Sequence, residues 1–220
     1  MYDFSNLSRA VTYWLNYKKL TGLEDLFSEA SLVVPIAEFL KTKNVPKLRA
    51  EVNHPIFKSR RGRPRQVDFV GYSRKGRWTF VIEAKYLPST MQAMVNDLGR
   101  LLFLDKDNCE RFMVIGLPRE EGKGIDEAFR IGAEVAGRRV NALERIFCRK
   151  KDKERIVNIR NEPTEISNLF KNFMDDYSVE EMPNAFQTKC LNFTTTKFFA
   201  AGMWRISARR GTGTISVSDI

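Results

Sequence analysis

Between residues 66 and 117 the apolar pattern runs with a period of two, switches to 3.6 and then returns to an extended run. That succession restricts the fold more than any other feature of the chain. Residues 66–72 are rich in Val, Phe and Tyr and read as a strand, Ser73-Arg74-Lys75-Gly76 as a turn, and residues 78–86 as the strongest strand pattern present. A helix is expected next, opened by Pro88-Ser89 with Gln92 three residues past Ser89 in the manner of a capping box. Its apolar positions Met91, Met94, Val95, Leu98, Leu101 and Leu102 keep to one face. Residues 111–117 then form a short buried strand. Two strands joined by a tight turn, a helix and a further strand require a mixed sheet with helices packed on it, which is an α/β core.

The flanks extend this core. Leu7, Val11, Trp14 and Leu15 keep helical spacing until Gly22, and a second helical pattern runs over residues 28–43, with Pro35 expected to kink it or mark a restart. Residues 47–54 are a weaker strand. Residues 126–137 read as a helix, 149–155 as a charged turn between short strands, and 165–177 as a helix. Residues 186–217 are β-rich, with a hairpin expected around Gly211-Thr212-Gly213. The expected organisation is one domain over residues 1–220, with a core over 23–147 and a β-rich C-terminal extension over 148–220.

Composition narrows the function. Of 220 residues, 37 are Lys or Arg and 27 are Asp or Glu, a formal net charge of +10 that favours an anionic partner, nucleic acid first. No apolar stretch is long enough to span a bilayer, and the opening residues lack the basic and apolar regions of a signal peptide, so a cytoplasmic protein with no membrane partner is expected. Three widely spaced cysteines, Cys109, Cys148 and Cys190, read as reduced thiols, and a single histidine, His54, excludes chemistry that needs two. His54 itself reads as a strand-end or loop histidine. Trp204 and the Phe198-Phe199 pair read as core.

The informative residues lie on the two paired strands. Side chains alternate along a strand, so Glu83 and Lys85 project to one side with Val81, while Phe80, Ile82 and Ala84 take the other. Asp68 lies on the neighbouring strand of the same hairpin, and cross-strand neighbours approach within roughly 5 Å at Cβ. Two acids and a lysine can therefore converge. Such a set suits Mg2+, with Mn2+ able to substitute, because magnesium binds through one or two carboxylates plus a substrate phosphate. The lysine would stabilise charge developing on phosphorus or help to orient the attacking water. Charges at the end of an otherwise apolar strand are costly unless compensated, and a metal ion compensates them.

An aspartate, 14 intervening residues and Glu-x-Lys on consecutive strands, behind an acid-bearing helix and ahead of a helix and a strand, resembles the PD-(D/E)XK nuclease superfamily, the restriction-endonuclease-like fold. The resemblance covers about residues 29–117. It implies Asp68 and Glu83 as metal-binding acids, Lys85 as the catalytic lysine, Glu29 as the added acid of the first core helix and Gln92 as the polar residue on the helix after the motif. Val67 stands where the family pattern has proline. On the helical wheel, at about 100° per residue, Glu29 falls on the apolar stripe of Leu32, Val33, Ile36 and Leu40, while Glu38 faces water. The basic run Lys58, Arg60, Arg61, Arg63 and Arg65 precedes the Asp68 strand and is expected to hold phosphates beside the scissile one. The expected activity is that of a magnesium-dependent endo- or exodeoxyribonuclease, acting alone or as a homodimer. The alternative is an inactive nuclease-like module that binds nucleic acid or a protein partner.

Overall fold

The computed structural model describes residues 2–23, 27–58, 64–87, 90–104, 109–119, 134–135, 138–139, 142–209 and 211–220. Its centre is a mixed seven-stranded sheet, and the hairpin read from the sequence forms one end of it. Strands β1 (Lys47–Lys58), β2 (Pro64–Tyr72) and β3 (Trp78–Tyr86) are antiparallel neighbours, with Phe69 opposite Ile82 and Val70 opposite Val81. Helix α3 (Met91–Leu102) then crosses to β4 (Glu110–Pro118), which pairs with β3 in parallel. Strands β7 (Glu154–Asn158), β9 (Ala185–Thr195) and β10 (Phe199–Ala208) complete the sheet in the order β1-β2-β3-β4-β10-β9-β7. The β-rich region after residue 148 thus supplies three of the seven strands.

Helices cover both faces. On one, α1 (Leu7–Leu20) and α2 (Ala30–Lys41) bury Leu7, Val11, Leu15, Leu32, Ile36 and Leu40 against Phe69, Phe80, Ile82 and Ala84. On the other, α3, the short α4 (Ala142–Ile146) and α5 (Thr164–Tyr177) enclose a larger core with Val81, Met113, Ile115 and Trp204. At about 25 cal/mol per Å2 of apolar area removed from water, these two layers supply the main drive for folding. Gly99 fixes the spacing between α3 and α5, since a Cβ there would stand 2.6 Å from the Phe173 ring. No helix among the described residues is long and apolar enough to cross a membrane.

Several local expectations change. The helix cap is Thr90, whose hydroxyl accepts from the Ala93 N–H at 3.2 Å; Ser89 lies outside the described residues. Gln92 forms no capping box, because its amide turns to Asn96 and to the Leu169 carbonyl. Helix α2 continues through Pro35. Strand β1 runs four residues past His54, whose Nδ1 accepts from the Ile56 and Phe57 N–H groups while Nε2 donates to the Arg100 carbonyl. Within the expected helix 126–137, Glu134–Val135 (β5) pairs with Arg138–Arg139 (β6) as a small hairpin, while residues 126–133 and 136–137 lie outside the described residues. The glycine turn at 211–213 closes no hairpin. Both edges of β10 are already paired with β4 and β9, so Thr214–Ser216 (β11) pairs instead with Glu181–Pro183 (β8).

Candidate active site

The hairpin separates where the acids begin. Its pairing ends at Phe69 and Ile82, and the next residues along are Asp68 and Glu83. There the Asp68 Oδ2 accepts the Ala84 N–H at 2.6 Å and so satisfies a backbone donor that the diverging strand leaves open. Glu83 and Lys85 point from β3 toward α3, as alternation requires, and both are buried. Helix α3 meets them with Asp97 and Arg100, which lie three residues apart and share a helix face.

These side chains form one network. The Lys85 Nζ stands 2.7 Å from Glu29 Oε2 and 2.7 Å from Asp97 Oδ2. The Arg100 Nη2 stands 2.6 Å from Asp97 Oδ1 and 3.0 Å from Glu83 Oε1. Asp97 therefore bridges the two cations. Arg100 is held from two further sides, donating to the Tyr177 hydroxyl at 3.2 Å while its carbonyl accepts from His54 at 3.1 Å. The second oxygen of Glu83, Oε2, is buried and no N–H or hydroxyl donor reaches it, while the Glu83 carboxyl faces that of Asp68.

Four carboxyl groups face two cations in this cluster, so with every acid ionised the negative charges would outnumber the positive by two. The titration of the acids follows. Burial raises the Asp68 carboxyl to about 6 against the pull of the Ala84 N–H, and repulsion from Asp97 and Glu29 adds to the rise. Burial likewise pushes Glu83 well above the ordinary carboxylate range; Arg100 opposes this, while Asp97 and Asp68 reinforce it. Burial disfavours the Lys85 ammonium, yet Asp97 and Glu29 outweigh it and carry the pKa up to about 12. The lysine is a fixed cation, and the proton-holding groups are the two strand acids.

All four residues assigned to the chemistry from sequence, Asp68, Glu83, Lys85 and Glu29, meet here. Glu29 arrives differently from the helical-wheel expectation. It stands at the N-terminal boundary of α2 with its side chain 45% exposed, and Val33, expected on the buried stripe, is exposed. The phosphate-binding residues are more scattered. Arg65 is exposed, with its guanidinium 5.4 Å from the centre of the Tyr177 ring, next to the group that holds Arg100. Gln92 faces α5, where Asn172 donates to it at 3.1 Å. The backbone of Lys58 ends β1, and its side chain lies outside the described residues together with Arg60, Arg61 and Arg63. Sequence reasoning missed Asp97 and Arg100. A signal existed, because Asp97 falls roughly 40° from Leu101 at the border of the α3 stripe.

A divalent cation fits this donor set. The neighbouring acids Asp68 and Glu83, a buried carboxyl oxygen that no N–H or hydroxyl donor reaches, and a cluster in which carboxyls outnumber cations are what such an ion satisfies. Among the described residues no group of three His, Cys, Asp or Glu side chains is arranged to enclose an ion. Magnesium binds through one or two acids and leaves the remaining positions to water and phosphate. Comparison of the chain with family models, with curated proteins and with solved structures returns no match.

Proposed function

We propose that the chain is a metal-dependent nuclease that hydrolyses phosphodiester bonds in DNA, on a core of the restriction-endonuclease-like, PD-(D/E)XK type. One observation carries this reading: Asp68, Glu83, Lys85 and Glu29, from two strands and a helix start, converge on a single charged cluster in an otherwise apolar sheet. Asp68 and Glu83 would hold the ion. When bound, it would polarise the scissile phosphate and lower the pKa of the attacking water. Lys85, kept protonated by Asp97 and Glu29, would stabilise the charge that develops on the phosphoryl oxygens. Arg100 fixes Glu83 through one oxygen and leaves the other available. The basic run from Lys58 to Arg65 enters β2 only a few residues before Asp68 and would hold neighbouring phosphates.

The test is cleavage of supercoiled plasmid and of labelled duplex, single-stranded and RNA oligonucleotides in Mg2+, Mn2+ and EDTA. Cleavage of DNA in either metal, absent in EDTA and absent for Lys85→Ala, is the expected result. A second reading has an observation of its own. Arg100 already neutralises Glu83 at 3.0 Å and competes with any ion for that carboxylate, as in a module that binds nucleic acid without cutting it. Retained binding with no cleavage in either metal selects this second reading.

A further inference from the structure

Helix α1 carries two apolar stripes. Leu7, Val11 and Leu15 face the sheet, and the core uses them completely. Ala10, Tyr13, Trp14 and Tyr17 repeat at i, i+3, i+4 and i+7 on another side, away from the sheet. With Val34, Pro35 and Phe39 of α2 they line a groove of about 600 Å3. Tyr13 is 52% exposed and Tyr17 58% exposed, although aromatic rings of this size ordinarily belong to a core or an interface.

The rim is cationic. The Arg9 guanidinium sits 5.6 Å from the Tyr13 ring centre, the Lys18 ammonium 5.4 Å from that of Trp14 and the Lys43 ammonium 4.7 Å from that of Phe39. Among the described residues lining the groove the acid is Glu38, paired with Lys41 at 2.7 Å. Flat rings interleaved with cations match a ligand that alternates planar faces with negative charges.

From this we infer that the α1–α2 groove binds a single-stranded segment of nucleic acid. Its bases stack on Tyr13, Tyr17 and Phe39, and its phosphates meet Arg9, Lys18 and Lys43. Stacking of this kind tolerates any base, because every base has a π face, and it needs bases freed from a duplex. A bilayer is a poorer occupant, because it docks on convex apolar protrusions and the groove is concave. A second copy is disfavoured by a cationic rim meeting its own kind on a chain of +10. The inference does not rest on the hydrolytic reading, since the groove lies on the face of the sheet opposite α3 and needs no metal.

The experiment is fluorescence anisotropy of a labelled oligothymidylate and of a duplex, measured in EDTA across a salt series with the full chain. Tyr13→Ala/Tyr17→Ala should weaken oligothymidylate binding about tenfold, change duplex binding little and leave the salt slope intact. Arg9→Gln/Lys18→Gln/Lys43→Gln should reduce that slope by about two, from about 0.7 for each phosphate contact on a single strand. All five positions are at the surface, and an unchanged melting temperature certifies each fold. Unchanged oligothymidylate affinity in both variants overturns the inference, as does an equal loss on duplex and single strand. It is also overturned if the tyrosine variant instead abolishes a dimer seen by light scattering, or co-sedimentation with anionic phosphatidylserine vesicles, while oligothymidylate binding persists.

Discussion

Strand β3 offers two faces of the same nine residues to two different environments. On one face Phe80, Ile82 and Ala84 disappear beneath α1 and α2 among other hydrocarbon groups, and Phe80 lies across Gly71 of β2 so closely that a Cβ there would meet its ring at 2.1 Å. On the other, Val81 begins in the same way, but Glu83 and Lys85 follow at almost equal burial beneath α3. Burying the first set needs only complementary shape. Burying the second costs several kcal/mol per ion unless each charge has a named partner, and the partners come from the start of α2 and from α3. One face of the strand holds the sheet together, and the other keeps a charged cluster in place at some expense of stability.

That division can be broken from the polar side with the largest effect. Asp68→Ala, Glu83→Ala and Lys85→Ala should each reduce metal-dependent cleavage at least about ten-thousandfold, close to 5 kcal/mol of transition-state stabilisation, with the circular-dichroism spectrum of the folded chain retained. A single variant cutting at the wild-type rate removes that residue from the chemistry. The apolar side should respond in the opposite sense. Phe80→Ala should lower stability by about 3–5 kcal/mol in urea unfolding, while the fraction of the chain that remains folded should cut at the wild-type rate. A loss of turnover at full folding would mean that the two faces are not separable.

The same division decides what could be read from sequence. The two strand acids and the lysine were legible because alternation fixes Asp68, Glu83 and Lys85 without any knowledge of the rest of the fold. Glu29 needed only an acid close to the start of a helix that packs on the same sheet. Asp97 left only a faint mark, its place at the border of the α3 stripe, and Arg100 left none, because a mid-helix Asp and Arg spaced by three resemble a surface ion pair until α5 closes over them. That closure depends on the Gly99–Phe173 contact and on Tyr177, some eighty residues away in sequence. Gln92 shows the converse: it lies on the expected helix, but Leu169 and Asn172 of α5 take up its amide. The destination of the C-terminal strands depends likewise on pairing partners that no local pattern specifies, such as β4 for β10.

A pH series sharpens the comparison through Asp68. Its carboxyl titrates near 6 in the fold against an ordinary value of 3.8, so the folded chain holds a proton that the unfolded chain has already released. Stability from that proton is fully present below about pH 4 and is lost as pH rises through 6, a change of about 2–3 kcal/mol. In EDTA, the melting temperature of the wild type should fall between pH 4 and pH 7 relative to that of Asp68→Asn. Mg2+ should flatten the fall by supplying positive charge to the ionised carboxylate. Parallel curves for the two proteins would show that Asp68 titrates normally and that its burial carries no electrostatic tension.

Glu29 provides the smallest and most discriminating effect. It reaches Lys85 at 2.7 Å from the edge of the α2 layer, but nearly half of its side chain is in solvent, and Asp97 holds the same ammonium at the same distance. Removing its charge therefore leaves Lys85 paired and protonated, so the lysine shifts without being lost. Glu29→Gln should slow cleavage about three- to tenfold, or about 1 kcal/mol. Glu38→Gln, on the outer side of α2 with Lys41 as its partner, should leave turnover at saturating DNA unchanged. Glu29→Gln/Asp97→Asn should cost more than the product of the single effects, because the two acids share one cation and cover for each other until both are gone. If Glu29→Gln and Glu38→Gln behave alike, the α2 layer contributes packing alone and the chemistry belongs wholly to the face of β3 beneath α3.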